Sequence, residues 1–184
     1  LGEVYFMRAY YYFNLVRLYG PVPLKLISTS DLSNVEIELT SIEGVYDQID
    51  KDLTKAGELM EKSAWTNANG RVSKGAVKSL HAKVYLTMAG YPLQKGTEYY
   101  QKAYAKANEV YKSKAFRLFD TYEELRTTEN TGEHIWSIQR EADNAGSPVH
   151  GNMLPYPAPA KAISANAVYG GALVPTMLFY NSYP

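Results

Sequence analysis

The chain has 184 residues, 19 Lys+Arg against 19 Asp+Glu, 46% hydrophobic residues and no cysteine. That length suits one domain or a piece of a larger one, and it can bury a core without staples. Zero net charge argues against nucleic acid as the main partner, which needs a basic face to neutralise phosphates; the absent cysteine excludes disulfides, thiolate metal sites and cysteine nucleophiles within this segment.

No targeting signal is legible at Leu1, and the chain reads as an internal segment with any signal or lipid anchor upstream. Tyrosine dominates the aromatics, 17 against 5 Phe and 2 Trp. Its apolar ring and polar tip suit half-buried helix faces and binding surfaces.

The first predicted helix is Glu3–Tyr19. Val4, Met7, Tyr11, Leu15 and Leu18 form one apolar stripe, and Phe6, Tyr10 and Phe13 a second, so burial is expected over most of its girth. Gly20, Pro21 and Pro23 end it. A second helix is predicted from Thr40, with Glu43 completing a capping box. Its inward stripe is Ile42, Val45, Tyr46, Ile49, Leu53, Ala56 and Met60. Asp47, Asp50 and Asp52, interleaved with Lys51 and Lys55, read as a solvated face. Trp65 lies in the following turn and is expected at a partner surface.

A third helix is predicted from a cap at Ser73 to Met88, with Val77, Leu80, Val84, Tyr85 and Met88 inward. A fourth runs from Thr97 to Tyr111, with Tyr100, Ala103, Tyr104, Ala107 and Val110 inward. The spacing of Ala82, Tyr85, Gly90, Ala103 and Val110 resembles a tetratricopeptide unit, with a longer loop after Gly90. A short helix follows at Thr121–Leu125, its capping box made by Thr121 and Glu124. Ile135 to Gln139 then read as extended.

Composition changes near residue 141. Residues 1–141 hold 36 of the 38 charged residues, whereas 142–184 hold only Asp143 and Lys161 but six of the nine prolines. We therefore divide the chain into a helical scaffold, 1–141, and a loop-rich segment of the same domain, 142–184. The run at 155–159 should be a stiff polyproline-like stretch. Residues 162–184 are uncharged, but Asn166, Gly170, Gly171, Pro175 and Asn181 interrupt every apolar run, so no membrane span is expected there.

Catalytic motifs are missing. Gly70 to Gly75 lacks the spacing of a phosphate-cradling loop, and neither Gly-x-Ser-x-Gly nor His-Glu-x-x-His occurs. His81 reads as a hydrogen-bonded helical histidine. His134 and His150, in separate loops, lack a carboxylate at metal-binding spacing. No cofactor and no metal site are expected, and an enzyme is disfavoured. The loop-rich segment instead carries neutral hydrogen-bonding and flat side chains: Asn144, His150, Asn152, Tyr156, Asn166 and Tyr169. Aromatic faces stack on pyranose C–H faces, and amides and imidazoles bind hydroxyls. Tyr156, Tyr169, Asn152 and His150 are the candidate ligand-binding residues.

The stretch from Glu3-Val4-Tyr5-Phe6-Met7-Arg8-Ala9-Tyr10 through Tyr12-Phe13-Asn14-Leu15-Val16 to Tyr19-Gly20-Pro21-Val22-Pro23-Leu24 resembles the SusD/RagB family. So do Val45-Tyr46-Asp47-Gln48-Ile49, Gly70-Arg71-Val72-Ser73-Lys74-Gly75-Ala76 with Ala82-Lys83-Val84-Tyr85-Leu86, Ala107-Asn108-Glu109-Val110, and Glu133-His134-Ile135-Trp136-Ser137-Ile138-Gln139. The resemblance implies a mainly α SusD-like fold of tetratricopeptide-like helical hairpins carrying an irregular, loop-rich ligand-binding segment. It implies a surface-exposed outer-membrane lipoprotein of Bacteroidota, anchored by a lipid outside this segment. It also implies non-catalytic binding of glycans for uptake through a SusC-like TonB-dependent transporter. Two alternatives stay open: a peptide-binding member of the same family, and a protein-interaction scaffold. Low charge in 142–184 favours sugar.

Overall fold

The structure is a computed structural model; it describes residues 1–28, 36–128 and 130–139, with only the backbone of Arg126. All elements below lie within the unit Leu1–Ser137. Helix α1 spans Gly2–Tyr19 and stops at Gly20, whose φ of 74° is a left-handed conformation that side chains resist. The Gly20 N–H still donates to the Val16 carbonyl, closing the last turn at 3.0 Å.

Only one side of α1 is buried. Phe6, Ala9, Phe13 and Val16 enter the core, while Val4, Tyr11 and Leu18 are 65%, 58% and 76% exposed. At about 100° per residue the two sets lie on roughly opposite sides of the helix. The expectation of burial around most of the girth is therefore corrected: among the described residues α2 and Trp136 pack on the Phe6–Phe13 side, and the Val4–Leu18 side is left exposed.

The chain leaves α1 through strand β1, Val22–Pro23, which pairs antiparallel with β2, Leu39–Thr40. Helix α2, Ile42–Leu59, follows directly. Thr40 belongs to β2, so the cap moves one residue on: the Ser41 hydroxyl accepts from the Gly44 N–H at 3.2 Å. Glu43 does not close a capping box but reaches Lys95. Val45, Tyr46, Ile49, Leu53 and Ala56 are buried as the 3.6-residue period requires. Each large side chain among them contributes about 1.5–3 kcal/mol when fully buried.

Helix α3, Lys74–Ala89, starts at the predicted cap, where the Ser73 hydroxyl accepts from the Ala76 N–H at 3.1 Å. Gly75 is needed here for space. Its N–H donates to the Trp65 carbonyl, and a Cβ would lie 2.4 Å from that oxygen and 2.6 Å from the Phe116 ring. Trp65 is half-buried, with the Lys74 ammonium 4.8 Å from its ring centre. It thus serves the α2–α3 turn rather than standing free.

The loop after Gly90 folds back on α3: Lys95 and Gly96 donate to the carbonyls of Met88 and Ala89. Helix α4, Thr97–Ser113, turns Tyr99 and Ala103 inward. Tyr100 and Tyr104, predicted inward, are 50% and 71% exposed, so the inward face is rotated by about one residue. Helix α5, Tyr122–Thr127, is capped as predicted by Thr121, which accepts from the Glu124 N–H. Trp136 is half-buried, its ring edge-on to Phe6 and Tyr10 at 5.2 Å each.

Cross-helix contacts fix the layout. Phe13 meets Tyr46 and Arg8 meets Asp52; Asp50 meets His81 and Glu61 meets Lys74; Lys78 meets Glu109 and Tyr85 meets Tyr99. Each consecutive pair of helices among α1–α4 is therefore antiparallel. The pairs α1–α2 and α3–α4 form two helical hairpins, the mainly α, tetratricopeptide-like arrangement expected.

Candidate functional site

The four residues expected to bind ligand, His150, Asn152, Tyr156 and Tyr169, lie outside the described residues, as do Asn144, Asn166 and the run at 155–159. The described scaffold holds chemistry of its own, gathered where α2, α3 and α4 meet.

At that junction Asp50 of α2 faces His81 and Tyr85 of α3. His81 is 4% exposed, and its Nε2 lies 2.7 Å from the Asp50 carboxylate. A carboxylate only accepts, so Nε2 carries the proton and donates. Tyr85, one turn on, stacks on the imidazole at 4.3 Å. Tyr99 of α4 packs edge-on against Tyr85 at 5.8 Å. Burial acts to raise the Asp50 pKa, but His81 and Tyr85 outweigh it and hold the carboxyl below its ordinary value. The same burial and the Asp50 carboxylate push the Tyr85 phenol well above its ordinary value. The expectation that His81 is a hydrogen-bonded helical histidine holds; the expectation that Asp50 sits on a solvated face is corrected, since it ties α2 to α3.

Asp52 departs further from that expectation. It is 2% exposed and takes both arms of the Arg8 guanidinium, at 2.7 and 2.6 Å. Gln48 donates a third bond to it at 2.9 Å. A signal for this burial was present: Asp52 lies three residues after Ile49, seven after Val45 and four before Ala56, squarely on the apolar stripe. Lys51, the next residue back, masked it, because an adjacent residue points elsewhere around a helix.

Beside the Asp50 cluster opens a cleft of about 450 Å³. Helix α2 contributes Leu53, Thr54, Gly57, Glu58 and Glu61 to its walls. Helix α3 contributes Val77, Lys78, His81 and Tyr85, and α4 contributes Lys106. Its charges are paired: Lys78 of α3 reaches Glu109 of α4 at 2.8 Å and Glu61 at 3.6 Å, and Lys106 reaches Glu109 within α4 at 3.5 Å. Burial acts to lower the Lys78 pKa, but Glu109 and Glu61 raise it on balance.

These pairings brace α2 against α3 and α4. The His81 Nε2 is taken up by Asp50, and the Tyr85 ring stacks on the imidazole. Among the described residues no group of three or more His, Asp or Glu could hold a metal ion, and no helix is long and apolar enough to cross a membrane. His134 accounts for itself locally, with Nε2 at 3.2 Å from the Leu125 carbonyl and its ring against Phe119.

Comparison with known proteins places this architecture. Residues 1–86 match the SusD-like family described as "Starch-binding associating with outer membrane". The chain is 35% identical over 98 residues to SusD-like protein P2 of Formosa agariphila, which covers 53% of this chain and 19% of that protein. The crystal structure of a SusD superfamily protein from Parabacteroides distasonis is 38% identical and superposes on all of this chain with a TM-score of 0.88, using 38% of its own length. A laminarin-binding SusD-like protein is 30% identical over 68% of this chain and 27% of its own, with a TM-score of 0.57. The chain thus spans about a fifth to two-fifths of these relatives.

Proposed function

We propose that the chain, which matches a SusD-like family over residues 1–86 and resembles SusD superfamily proteins, is part of a non-catalytic protein that captures glycans at the outer surface of the outer membrane. The captured chain is handed to a SusC-like TonB-dependent transporter, and a lipid anchor outside this segment holds the protein at the membrane. The observation that carries this reading is the match of the whole chain to a SusD superfamily structure at 38% identity. The family's starch-binding description and the laminarin-binding relative support glycan as the ligand class. In this reading α1–α4 form the scaffold, and His150, Asn152, Tyr156 and Tyr169 bind sugar from the loop-rich segment.

Low charge between residues 142 and 184 favours a neutral ligand over a peptide. Shallow sugar sites lose much of their gain to ordering the ligand, so affinities of micromolar to millimolar, roughly −8 to −4 kcal/mol, are expected. The test is affinity electrophoresis and calorimetry of the intact protein against neutral polysaccharides and peptides, beside Tyr156→Ala and Tyr169→Ala. Saturable binding to one glycan class, without cleavage and weakened in both variants, supports the proposal. Binding of peptides alone moves the protein to a peptide-importing role. Hydrolysis of a glycan overturns it.

A further inference from the structure

We infer that the cleft between α2, α3 and α4 is a second sugar-binding site, taking a short stretch of neutral glycan on the scaffold itself. Sugar as the ligand class rests on the glycan reading above; the existence of the site does not.

The first observation is Gly57. Glycine within a helix lowers helix stability relative to alanine, so its presence needs a reason. Three other helical glycines have one. A Cβ at Gly2 would meet Met60 at 2.6 Å, one at Gly44 would meet Thr40 at 2.8 Å, and one at Gly75 would meet the Trp65 carbonyl at 2.4 Å. At Gly57 a Cβ would meet nothing within 4 Å among the described residues, and its φ is not left-handed. Gly57 instead forms part of the cleft wall. What its missing side chain leaves clear is the cleft, together with close approach to the α2 backbone.

The second observation is the state of the charges. Lys78 and Lys106 are neutralised by Glu61 and Glu109, and Glu58 by Lys55 at 2.9 Å. A charged ligand would have to break one of these pairs to gain its own. A sugar hydroxyl both donates and accepts, so it can bridge an ammonium and a carboxylate while leaving the pair intact. The volume of about 450 Å³ lies within the range of small-ligand sites. Leu53 and Val77, 0% and 1% exposed, are buried directly behind the cleft wall, on α2 and α3, so their methyls sense occupancy without touching the ligand.

The experiment follows the methyl resonances of Leu53 and Val77 by NMR in the intact protein. Probes are maltooligosaccharides, laminarin oligosaccharides and a panel of short charged peptides. Three proteins are compared: the parent, Gly57→Leu, and the double variant Tyr156→Ala/Tyr169→Ala. We expect saturable shifts with a neutral oligosaccharide that persist in the double variant and weaken about tenfold or more in Gly57→Leu. Gly57→Leu should keep or raise the melting temperature. Shifts with peptides only, or no shift with any oligosaccharide, overturn the inference. So does a marked fall in melting temperature, which would mean that another part of the protein fills the cleft. Oligosaccharide shifts that vanish in the double variant also overturn it. Shifts at Leu53 and Val77 that survive while the tyrosine variants bind sugar normally would leave this site standing and remove the loop site, so the two readings fail separately.

Discussion

Replacing Arg8 by methionine isolates the Arg8–Asp52 pair. Methionine keeps the apolar stem of the side chain and removes the fork that holds Asp52. The carboxylate is 2% exposed and receives three hydrogen bonds, two of them from Arg8. After substitution only the neutral Gln48 donor faces it. Leaving a buried charge uncompensated costs about 3–5 kcal/mol. Because Arg8 is 30% exposed, water reaches part of the gap, and the lower end, about 3 kcal/mol, is expected. Against a total stability of about 5–15 kcal/mol this is a large loss. The assay is urea unfolding of the intact protein, followed by circular dichroism. The double variant Arg8→Met/Asp52→Leu removes both charges and should recover most of the loss, since an apolar pair of similar volume replaces a buried ion pair at little cost. A single variant that loses less than about 1 kcal/mol, or a double variant as unstable as the single, would refute the reasoning.

Asp50 sets an acid limb. Its folded pKa is depressed below 3.8 by His81 and Tyr85, against the opposing effect of burial. The stability it gives is complete above that ordinary value and is lost as pH falls through the lower folded value. Asp50→Asn should flatten the acid end of a stability–pH curve; an unchanged slope would show that Asp50 does not carry it. The two helical glycines at 57 and 75 should respond oppositely to alanine. Gly57→Ala should stabilise by about 0.5–1 kcal/mol, whereas Gly75→Ala should destabilise by about 1–3 kcal/mol through overpacking against Trp65 and Phe116; equal effects in denaturant titrations would contradict the packing described. Ser73→Ala should cost about 1 kcal/mol in denaturant titrations by removing the α3 cap, and an unchanged midpoint would contradict it.

Local hydrogen bonding was legible in the sequence. The caps at Ser73 and Thr121 and the stop at Gly20 depend on residues within four positions of each other, so the chain states them directly. The α2 cap was displaced by a single residue because the β1–β2 pairing, a contact between distant residues, claimed Thr40. The family signature and the helical hairpins were legible for the same reason: each is a run of consecutive residues with one period. The proposed loop residues were chosen by composition, and the junction cluster of Asp50, His81 and Tyr85 was not assembled at all, since its members sit on two helices 31 residues apart.

Choice among faces was left to tertiary structure. Helix α1 carries two apolar stripes, and its sequence treats them alike; the docking of α2 through Phe13–Tyr46 and Arg8–Asp52 selected one. Helix α4 offers adjacent tyrosines at 99 and 100, whose amphipathic rings suit either side, and the position of Tyr85 drew Tyr99 inward. Asp52 lay on an apolar stripe, where a charge is tolerable only if a partner arrives from elsewhere. The sequence by itself determined the stop of α1 and the caps of α3 and α5, because those energies are local; which side of each helix is buried, and which charges go with it, was decided by the partner helix across the interface.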